Sequence, residues 1–592
     1  MGEKSDFFFS HLNGRFLKLR TTVSFVSLSG RILVYIAECN KGVTMLAKKI
    51  PFWSMALSCA VFAGNLISNG DLEYGDGGWY LWNNPAGPAE AASKIGEPGV
   101  GVDGSQGAVV DIRKKPTDWW GLQLQPPKFL ADTIFYELTF KAKAEKGGTI
   151  NAVVQGGMPD YRQKTSASFT LSPEWKTYRM KFFADEKGYG LNNVVFQLGY
   201  LKGKVFFDDV EVNPVEGGFD KNWYADADAR IDSIRKKDLT ASGFAPGDTV
   251  RVSLSRHAFP FGTALALDFR DDSLKNWYGK TADRYFWAGV PENQFKWPEY
   301  EPKKGKVNRE AMREYLEFAK KYGWKLRAHT LVWGIQKYGF DKHWGIQGSC
   351  KDISKNIRLR IERDMKEYKG KISEYDVWNE PIHETFLFDK CGWDLLDSSF
   401  VWAHRADPSA SLYINDYNVV AFGETERYYE LIRGMLDRKV PVSGIGVQCH
   451  FNGAKVVPAL IKERLDRLAE FGLPIKVTEF DMGTQDRGPN MTEAERSAQY
   501  EMFIRSAFSH PAVKGIFLWG FWDSRHWIPN GGVISADGKE KPAAAKIYDL
   551  WHKVWTTDDS VVADKDGKIH FRGFPGIYEM KSGKKSERRV LD

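Results

Sequence analysis

The sequence lacks the features that mark several large classes of protein. Only five of its 592 residues are cysteine, and no Cys/His spacing resembles a zinc site. The 56 glycines and 25 prolines are ordinary levels, which excludes a collagen-like or a disordered chain. The apolar run at residues 50–62 is shorter than the ~20 residues that a membrane-spanning helix requires, so we expect no membrane span. What remains is a globular chain, long enough for several domains.

A large excess of one charge is also missing. The 83 basic and 76 acidic side chains leave a net charge of +7, and residues 1–50 alone, with eight Lys or Arg and three Asp or Glu, supply +5 of it. A nucleic-acid-binding domain should carry a basic surface on its folded part, but the residues after residue 50 have a net charge of only +2. We therefore expect no nucleic-acid partner.

Aromatic residues, in contrast, are abundant. They make up 14% of the chain, with 21 Trp. Trp fills protein cores, but it also stacks on the flat apolar faces of ligands. Composition alone leaves both uses open, and it adds saccharide-binding enzymes to the classes worth testing.

The amino end predicts a secretory signal. Two lysines at 48 and 49 precede the apolar run, and small or short residues follow at 61–63. We interpret residues 45–63 as a signal peptide and expect translation to start at Met45, with residues 1–44 lying upstream of the coding start. A genuine extension with an internal anchor, or a lipoprotein anchor at Cys59, are the alternatives. The expected location is extracellular, periplasmic or at the cell surface.

Residues 64–215 predict a β-sandwich. Runs of period two at 133–140, 175–182 and 205–212 are separated by turns rich in Gly, Asn, Asp and Pro. Residues 216–256 are predicted to be a transition that contains a charged helix and a strand.

Residues 257–556 alternate short apolar segments with helical patterns. Eight such segments occur, at 261–267, 286–290, 325–332, 375–378, 412–414, 444–447, 475–477 and 515–519. Helical patterns lie between most of them, and the last one begins with a reciprocal cap formed by Thr492 and Glu495. This order predicts a (β/α)8 barrel, whose strand ends carry the chemistry. For residues 557–592 we expect a small hairpin and a solvated charged tail.

Two glutamates stand where predicted strands four and seven end, Glu380 and Glu479. These strands are on opposite walls of an eight-membered ring, so their side chains are able to approach each other across a sugar. A retaining glycosidase needs two carboxyl groups about 5–5.5 Å apart. The pair therefore predicts glycoside hydrolysis by double displacement.

The barrel resembles the endo-β-1,4-xylanases of glycoside hydrolase family 10 across all eight strands. The matching pieces, in order, are residues 292–297, 327–333, 378–381, 413–418, 446–450, 478–481 and 519–522. The resemblance implies Glu380 as acid/base and Glu479 as nucleophile, no cofactor for catalysis, and xylan and xylo-oligosaccharides as partners of a monomeric enzyme. It also implies that Asn379 hydrogen-bonds the sugar 2-hydroxyl.

The residues themselves agree with these roles. Trp378 and Pro381 flank Glu380, and desolvation by such neighbours raises a carboxyl pKa and retains a proton. An imidazole at His450, held by Asp481, would donate to Glu479 and favour its charged form.

The resemblance further implies a set of substrate contacts. Lys296, His329 and Gln448 would contact the sugar on the non-reducing side of the catalytic pair, Glu292 and Asn293 the next sugar outward, and Trp333, Trp519 and Trp527 the cleft walls. Gly334 departs from the family, which often has a polar residue there. We expect a wider pocket at Gly334, or an altered subsite formed by the insertion 335–352 with Trp344.

The ends of the predicted sandwich, residues 65–73 and 207–212, resemble jelly-roll carbohydrate-binding modules. That resemblance implies a structural calcium held by Glu73 and Asp209, which would otherwise be solvated turn carboxylates. Tryptophans at 79, 82, 119 and 120 are candidates for sugar stacking, although core packing is the alternative for each.

Three cysteines follow the predicted signal peptide. An oxidising compartment permits a bridge between Cys350 and Cys391, which fall in consecutive barrel loops. Cys449 lies in an apolar strand and is predicted to be a buried thiol.

Two other functions stay open, a mixed β-1,4-glucanase/xylanase on the same barrel and a non-catalytic polysaccharide-binding protein.

Overall fold

The structure is a computed structural model, and it describes residues 23–28, 31–36, 65–131, 135–156, 163–184, 191–215, 222–451, 455–484 and 491–592. Residues 1–62 are separate from the rest of the chain, and the two described strands among them, Val23–Leu28 and Arg31–Ile36, pair antiparallel. The predicted signal peptide, residues 45–63, lies outside the described residues. Within these ranges no helix is long and apolar enough to cross a membrane.

A sandwich of antiparallel sheets begins the second unit. In pairing order, the described strands of the first sheet are Gln163–Leu171, Gly148–Gly156, Leu191–Gln197, Leu122–Gln125 and Tyr80–Asn83, with Phe129–Leu130 paired to Leu191–Gln197. Those of the second sheet are Lys176–Phe183, Phe135–Ala144, Gly203–Pro214, Gln106–Lys114 and Glu90–Pro98. Alternate residues point into the shared core, where Phe140 of the second sheet meets Phe196 of the first at 4.9 Å between ring centroids.

Parallel strands then close into a barrel, and the described residues contain eight of them, numbered here one to eight along the chain. They are Phe261–Leu265, Ala288–Pro291, Lys325–Leu326 continued by Val332–Trp333, Glu374–Asn379, Ser411–Asp416, Gly444–His450, Ile475–Asp481 and Val513–Leu518. Strand one pairs with strands two and eight. Strand three is split, so that its first part pairs with strand two and its second part with strand four. The predicted (β/α)8 barrel after a β-sandwich is confirmed.

Helices connect successive barrel strands, and a last helix follows strand eight. Their bounds are Asp272–Tyr285, Trp297–Tyr300, Arg309–Tyr322, Cys350–Glu367, Phe386–Cys391, Asp394–Ala406, Thr425–Asp437, Pro458–Ala469, Glu493–Phe508 and Pro542–Asp549, the last continued by a π-helical turn, Leu550–Val554. The predicted reciprocal cap is confirmed, because the Thr492 hydroxyl accepts from the Glu495 N–H and the Glu495 carboxylate accepts from the Thr492 N–H. Strongly buried apolar residues on the inner helix faces pack against the strands.

The chain on both sides of the barrel forms a small β-domain, which the sequence analysis missed. The helix Trp223–Arg235 leads into two strands, Lys237–Ser242 and Thr249–His257. The carboxyl-terminal strands that pair with them are Asp558–Val562, Lys568–Gly573 and Gly576–Ser582.

The prediction of a solvated charged tail is wrong. Lys585–Leu591 is a strand that pairs antiparallel with Gly576–Ser582. Its charged side chains lie on both faces, with Glu587 and Arg589 half-buried and Arg588 exposed, so no apolar alternation marked the strand in the sequence. The segment 216–256 is likewise more than a linker, because Val250 and Val252 join Ile569 and Tyr578 in one core.

A disulfide joins two barrel loops, as expected. Cys350 opens the helix after strand three, and Cys391 ends the short helix after strand four; their Cα atoms are 5.3 Å apart. Cys449 is a buried free thiol in strand six, which confirms the second cysteine prediction.

Candidate active site

The two predicted catalytic glutamates open onto one cleft at the carboxyl ends of the barrel strands. Glu380 directly follows strand four, and Glu479 lies near the end of strand seven. Both line a cavity of about 760 Å³. The backbone of Glu380 has a φ of 60°, a left-handed conformation that non-glycine residues rarely adopt and that is common at functional sites.

A chain of amide side chains connects the two carboxyl groups. Gln448 donates from Nε2 to Glu380 Oε1 at 3.0 Å and to Asn379 Oδ1 at 3.2 Å. Asn415 donates from Nδ2 to the same Asn379 Oδ1 at 2.8 Å and to Glu479 Oε1 at 2.9 Å. Because the Asn379 oxygen accepts both of these bonds, the orientation of its amide group is fixed. The amide nitrogen then faces the cleft, as a donor to a sugar hydroxyl requires.

Glu380 sits in an environment that favours its neutral form. Burial is the largest cause, and the carboxylates of Asp416 and Glu479 act in the same direction. Hydrogen bonds from Gln448 and from Trp333 Nε1, which is 2.7 Å from Glu380 Oε2, oppose them. Together these interactions raise the pKa of Glu380 to about 8. The group therefore keeps a proton at neutral pH and is suited to act as a general acid.

Glu479 faces a positive charge instead. Its Oε2 is 3.3 Å from His450 Nε2, and His450 Nδ1 is 2.8 Å from Asp481 Oδ1. Burial disfavours the imidazolium, but the Asp481 carboxylate and the hydrogen bonds to Asp481 and Glu479 outweigh it and raise the pKa of His450 to about 10. A protonated His450 donates from both ring nitrogens, to Asp481 and to Glu479, and places a positive charge beside the Glu479 carboxyl group.

A second Asp–His pair lies on the other side of Glu479. Asp376 Oδ2 is 2.9 Å from His329 Nδ1, and its Oδ1 accepts from Arg327. Burial alone would raise the pKa of Asp376, but Arg327 and His329 together hold it below its usual range. Sequence analysis gave Asp376 no role, although an acidic residue inside an apolar strand is a signal that such a partner exists.

The residues predicted for the non-reducing side also meet in the cleft. Lys296 donates from Nζ to Asn293 Oδ1 at 2.9 Å, and its ammonium lies 5.2 Å from the Trp333 ring centroid. Burial lowers the pKa of Lys296 and raises that of Glu292. All of these side chains line the cavity that contains the glutamate pair.

The three predicted wall tryptophans line the same cavity. Trp519 packs edge-on against His329 with ring centroids 5.0 Å apart. Trp527 donates from Nε1 to Asp481 Oδ2 at 2.6 Å, so it supports the Asp–His pair as well as the wall. Trp333 contributes the hydrogen bond to Glu380 that sequence analysis did not foresee.

Gly334 does not provide a wider pocket. A Cβ atom placed there would lie 2.7 Å from the backbone oxygen of Glu384, so the loop after strand four already occupies the space. From the insertion that follows, Tyr338 reaches the cleft and stacks on Trp333 at 6.1 Å between centroids. Trp344 instead packs against Trp297 beneath the rim.

Strand five supplies site residues to which sequence analysis assigned no role. Asn415 holds Glu479 in place, and Asp416 acts on Glu380 through its charge. Tyr417 and Asn418 line the cleft, and Tyr417 stacks on His383 with centroids 3.7 Å apart. The consecutive polar residues at the end of an apolar strand were the signal for this cluster.

The sandwich tryptophans divide between core and surface. Trp79 is buried in the sandwich core. Trp82 stacks on Trp120 with centroids 6.0 Å apart, and Trp119 stacks on Tyr200 at 5.7 Å. Trp119 and Trp120 are 44% and 39% exposed, so they remain available for a ligand.

The predicted calcium ligands are otherwise engaged. Glu73 accepts from the backbone N–H of Gln106 at 2.9 Å, and Asp209 forms an ion pair with Lys141 at 2.8 Å. Among the described residues no group of three or more His, Cys, Asp or Glu side chains is placed to share a metal ion. As arranged here, Glu73 and Asp209 do not fit a calcium site, and the ion stays a prediction.

Comparison with known families and proteins agrees with this geometry. Residues 251–550 match glycosyl hydrolase family 10, and residues 64–198 match a carbohydrate binding domain. The chain is 28% identical to endo-1,4-beta-xylanase 1 of Arabidopsis thaliana, over 98% of this chain and 62% of that protein. It is 32% identical to the beta-1,4-xylanase of Dictyoglomus thermophilum, over 42% of this chain and 75% of that protein. The crystal structure of native xylanase 10B from Thermotoga maritima aligns at 26% identity with a TM-score of 0.46, covering 50% of this chain and 95% of that one.

The chain spans only part of several curated relatives, between 32% and 62% of the length of four of them. The family match nevertheless covers just over half of this chain and contains every barrel strand from Phe261 to Leu518. The chain belongs to glycosyl hydrolase family 10.

Proposed function

We propose that this protein is an endo-β-1,4-xylanase that cleaves internal bonds of xylan by double displacement. The observation that carries the proposal is the contrast between two buried glutamates in one cleft, Glu380 with a pKa raised to about 8 and Glu479 next to a histidine whose pKa is raised to about 10. The names of the matched relatives support xylan as the substrate.

In the first step Glu479 attacks the anomeric carbon, and Glu380 gives its proton to the departing glycosidic oxygen. The C–O bond to the leaving sugar breaks as the bond to Glu479 forms. The imidazolium of His450 balances the charge on the nucleophile before the attack. Asn379, oriented by two hydrogen bonds to its oxygen, donates to the 2-hydroxyl.

In the second step the ionised Glu380 takes a proton from water, and the resulting hydroxide displaces Glu479 from the anomeric carbon. Two inversions give net retention, so the first product formed carries the β-configuration. The steps use only protons and electron pairs of these side chains, the substrate and water. We also propose that the enzyme acts outside the cytoplasm, on the basis of the signal-like residues 45–63.

The proposal is tested first on substrates. The protein is incubated with xylan, carboxymethyl cellulose and mannan, and reducing ends are followed. Release from xylan is expected. Release mainly from cellulose would favour the mixed glucanase, and no release from any substrate would favour a binding protein.

Azide rescue then tests the two roles on an activated aryl xylobioside. Glu479→Ala with azide should yield the α-glycosyl azide, because azide attacks once from the vacated side. Glu380→Ala with azide should yield the β-glycosyl azide, because azide attacks the covalent intermediate. Glu299→Gln, at another carboxylate that lines the cleft, is the matched control and should retain turnover. The same azide anomer from both alanine variants would contradict double displacement.

A further inference from the structure

The loop after strand five joins the cleft to the sandwich. Tyr417 at its start lines the cleft, and Phe422 and Glu424 at its end contact the sandwich. The carbonyl oxygen of Phe422 accepts from Thr165 Oγ1 at 3.2 Å, and Glu424 Oε1 accepts from Ser168 Oγ at 2.7 Å. These contacts are buried, so the sandwich is docked at this loop with a defined orientation rather than tethered by a linker.

An aromatic pair of the sandwich lies next to that loop. Trp119 and Tyr200 stack with ring planes 8° apart, and Tyr200 is 43% exposed. Ser168, which bonds Glu424, also donates to Asn151 Oδ1 at 2.5 Å, and the Asn151 side chain hydrogen-bonds the Tyr200 hydroxyl. A short chain of hydrogen bonds therefore connects the pair to the loop whose start lines the cleft.

Beyond this pair, the outer face of the first sheet is polar and aromatic. Leu122 and Leu124 point into the sandwich core, so Gln123 and Gln125 lie on the opposite face, where Gln123 is half-buried and Gln125 is buried against Asn193. The Tyr80 hydroxyl and the two glutamines form a line of hydrogen bonds along that face. Of these groups Tyr80, 43% exposed, and the half-buried Gln123 are accessible to sugar hydroxyls, and stacked indoles suit the apolar faces of pyranose rings.

The position of strand five gives the substrate a direction. The loop after strand two carries Glu292, Asn293 and Lys296, which are predicted for the non-reducing side. Strand five lies beside strand six, which is across the ring from strand two. A chain with its non-reducing end over Glu292 and Asn293 that crosses the glutamate pair then leaves the cleft on the side of strands five and six, where Tyr417 lies, with its leaving-group sugars. This step rests on the proposed function.

We propose that the substrate cleft continues onto the sandwich, so that the leaving-group side of a linear β-1,4-linked xylan chain passes from Tyr417 onto the Tyr200–Trp119 pair. The sandwich then acts as additional subsites of the same cleft. It does not work as an independent module that only holds the enzyme near its substrate.

Chain-length dependence tests this proposal. In the full-length protein, kcat/KM is measured on xylotetraose, which the barrel cleft alone accommodates, and on xylo-octaose. Trp119→Ala and Tyr200→Ala should each lower kcat/KM on xylo-octaose about tenfold, as expected when one well-placed aromatic contact is lost, and leave xylotetraose unchanged. Tyr200→Phe keeps the ring and should behave as the wild type.

Trp175→Ala is the matched control, because Trp175 precedes Lys176–Phe183 of the second sheet and packs on Phe206 there. It should alter neither substrate. Loss of binding to insoluble xylan with unchanged kinetics on xylo-octaose would overturn the proposal in favour of an independent module. An equal fall on both oligosaccharides would overturn it too. A wild-type protein inactive on both oligosaccharides and on xylan would instead refute the proposed function.

Discussion

The hydrogen bond from Trp333 to Glu380 allows a quantitative test of how the site sets the pKa of its acid. The bond is 2.7 Å long and lowers the carboxyl pKa, because it stabilises the charged form more than the neutral one. A hydrogen bond to a charged group contributes about 1.5–3 kcal/mol and one to a neutral group about 0.5–1.5 kcal/mol. The difference of roughly 1–1.5 kcal/mol corresponds to about one pKa unit.

Trp333→Phe removes this bond and keeps an aromatic wall. Since Glu380 must be protonated to act as an acid, kcat/KM of the wild type should fall as the pH rises through about 8. In the variant this alkaline limb of the pH profile, where kcat/KM falls, should lie about one pH unit higher. The assay is kcat/KM on xylohexaose across the pH range, a substrate whose leaving group needs the proton, with unfolding followed at each pH.

The control is Trp519→Phe, which alters another wall of the cleft whose ring contact is with His329. It should lower kcat/KM without moving the limb. A limb in Trp333→Phe that stays at the wild-type position, or moves to lower pH, would refute the reasoning. The charges of Asp416 and Glu479 would then dominate to the point that one hydrogen bond has no measurable effect.

Three further predictions follow from single contacts. Asp481→Asn should lower the pKa of His450 from about 10 and reduce kcat by roughly ten- to a hundredfold, as measured by the pH dependence of kcat. Gly334→Ala should destabilise the protein by about 1–3 kcal/mol, because the new methyl group overlaps the loop after strand four; denaturant unfolding measures this, and unchanged stability would contradict it. Cys350→Ser should cost about 4 kcal/mol, since the bridge to Cys391 closes a 41-residue separation, and a reductant should lower the Tm of the wild type but not of the variant.

Sequence alone predicted the barrel, because alternating short apolar strands and amphipathic helices are local patterns with few global solutions. It also predicted that Glu380 and Glu479 open onto one cleft, since residues at the carboxyl ends of parallel strands meet at one rim. The cap at Thr492 and the bridge between Cys350 and Cys391 were likewise predictable from neighbouring residues or consecutive loops.

The small β-domain was not predictable in the same way. Its strands Lys237–Ser242 and Lys568–Gly573 pair with each other although the whole barrel separates them in the sequence. Nothing in the sequence of either strand identifies its partner. The charged strand Lys585–Leu591 was mistaken for a tail for a related reason. A charged edge strand with one solvated face can be distinguished from a disordered charged run only when the strand that pairs with it is known.

Within the site, the sequence determined which groups are present, and the tertiary structure decided what each of them does. Glu380 and Glu479 are the same amino acid, and the surroundings that folding brings to them differ: burial and the charge of Asp416 raise the pKa of Glu380, whereas Glu479 is in contact with His450. The same applies to Gly334, whose role depends on a backbone oxygen from another loop. Pattern is a local property of the chain, whereas burial, electrostatic potential and close contact depend on residues distant in sequence, and these three set the chemistry of the cleft.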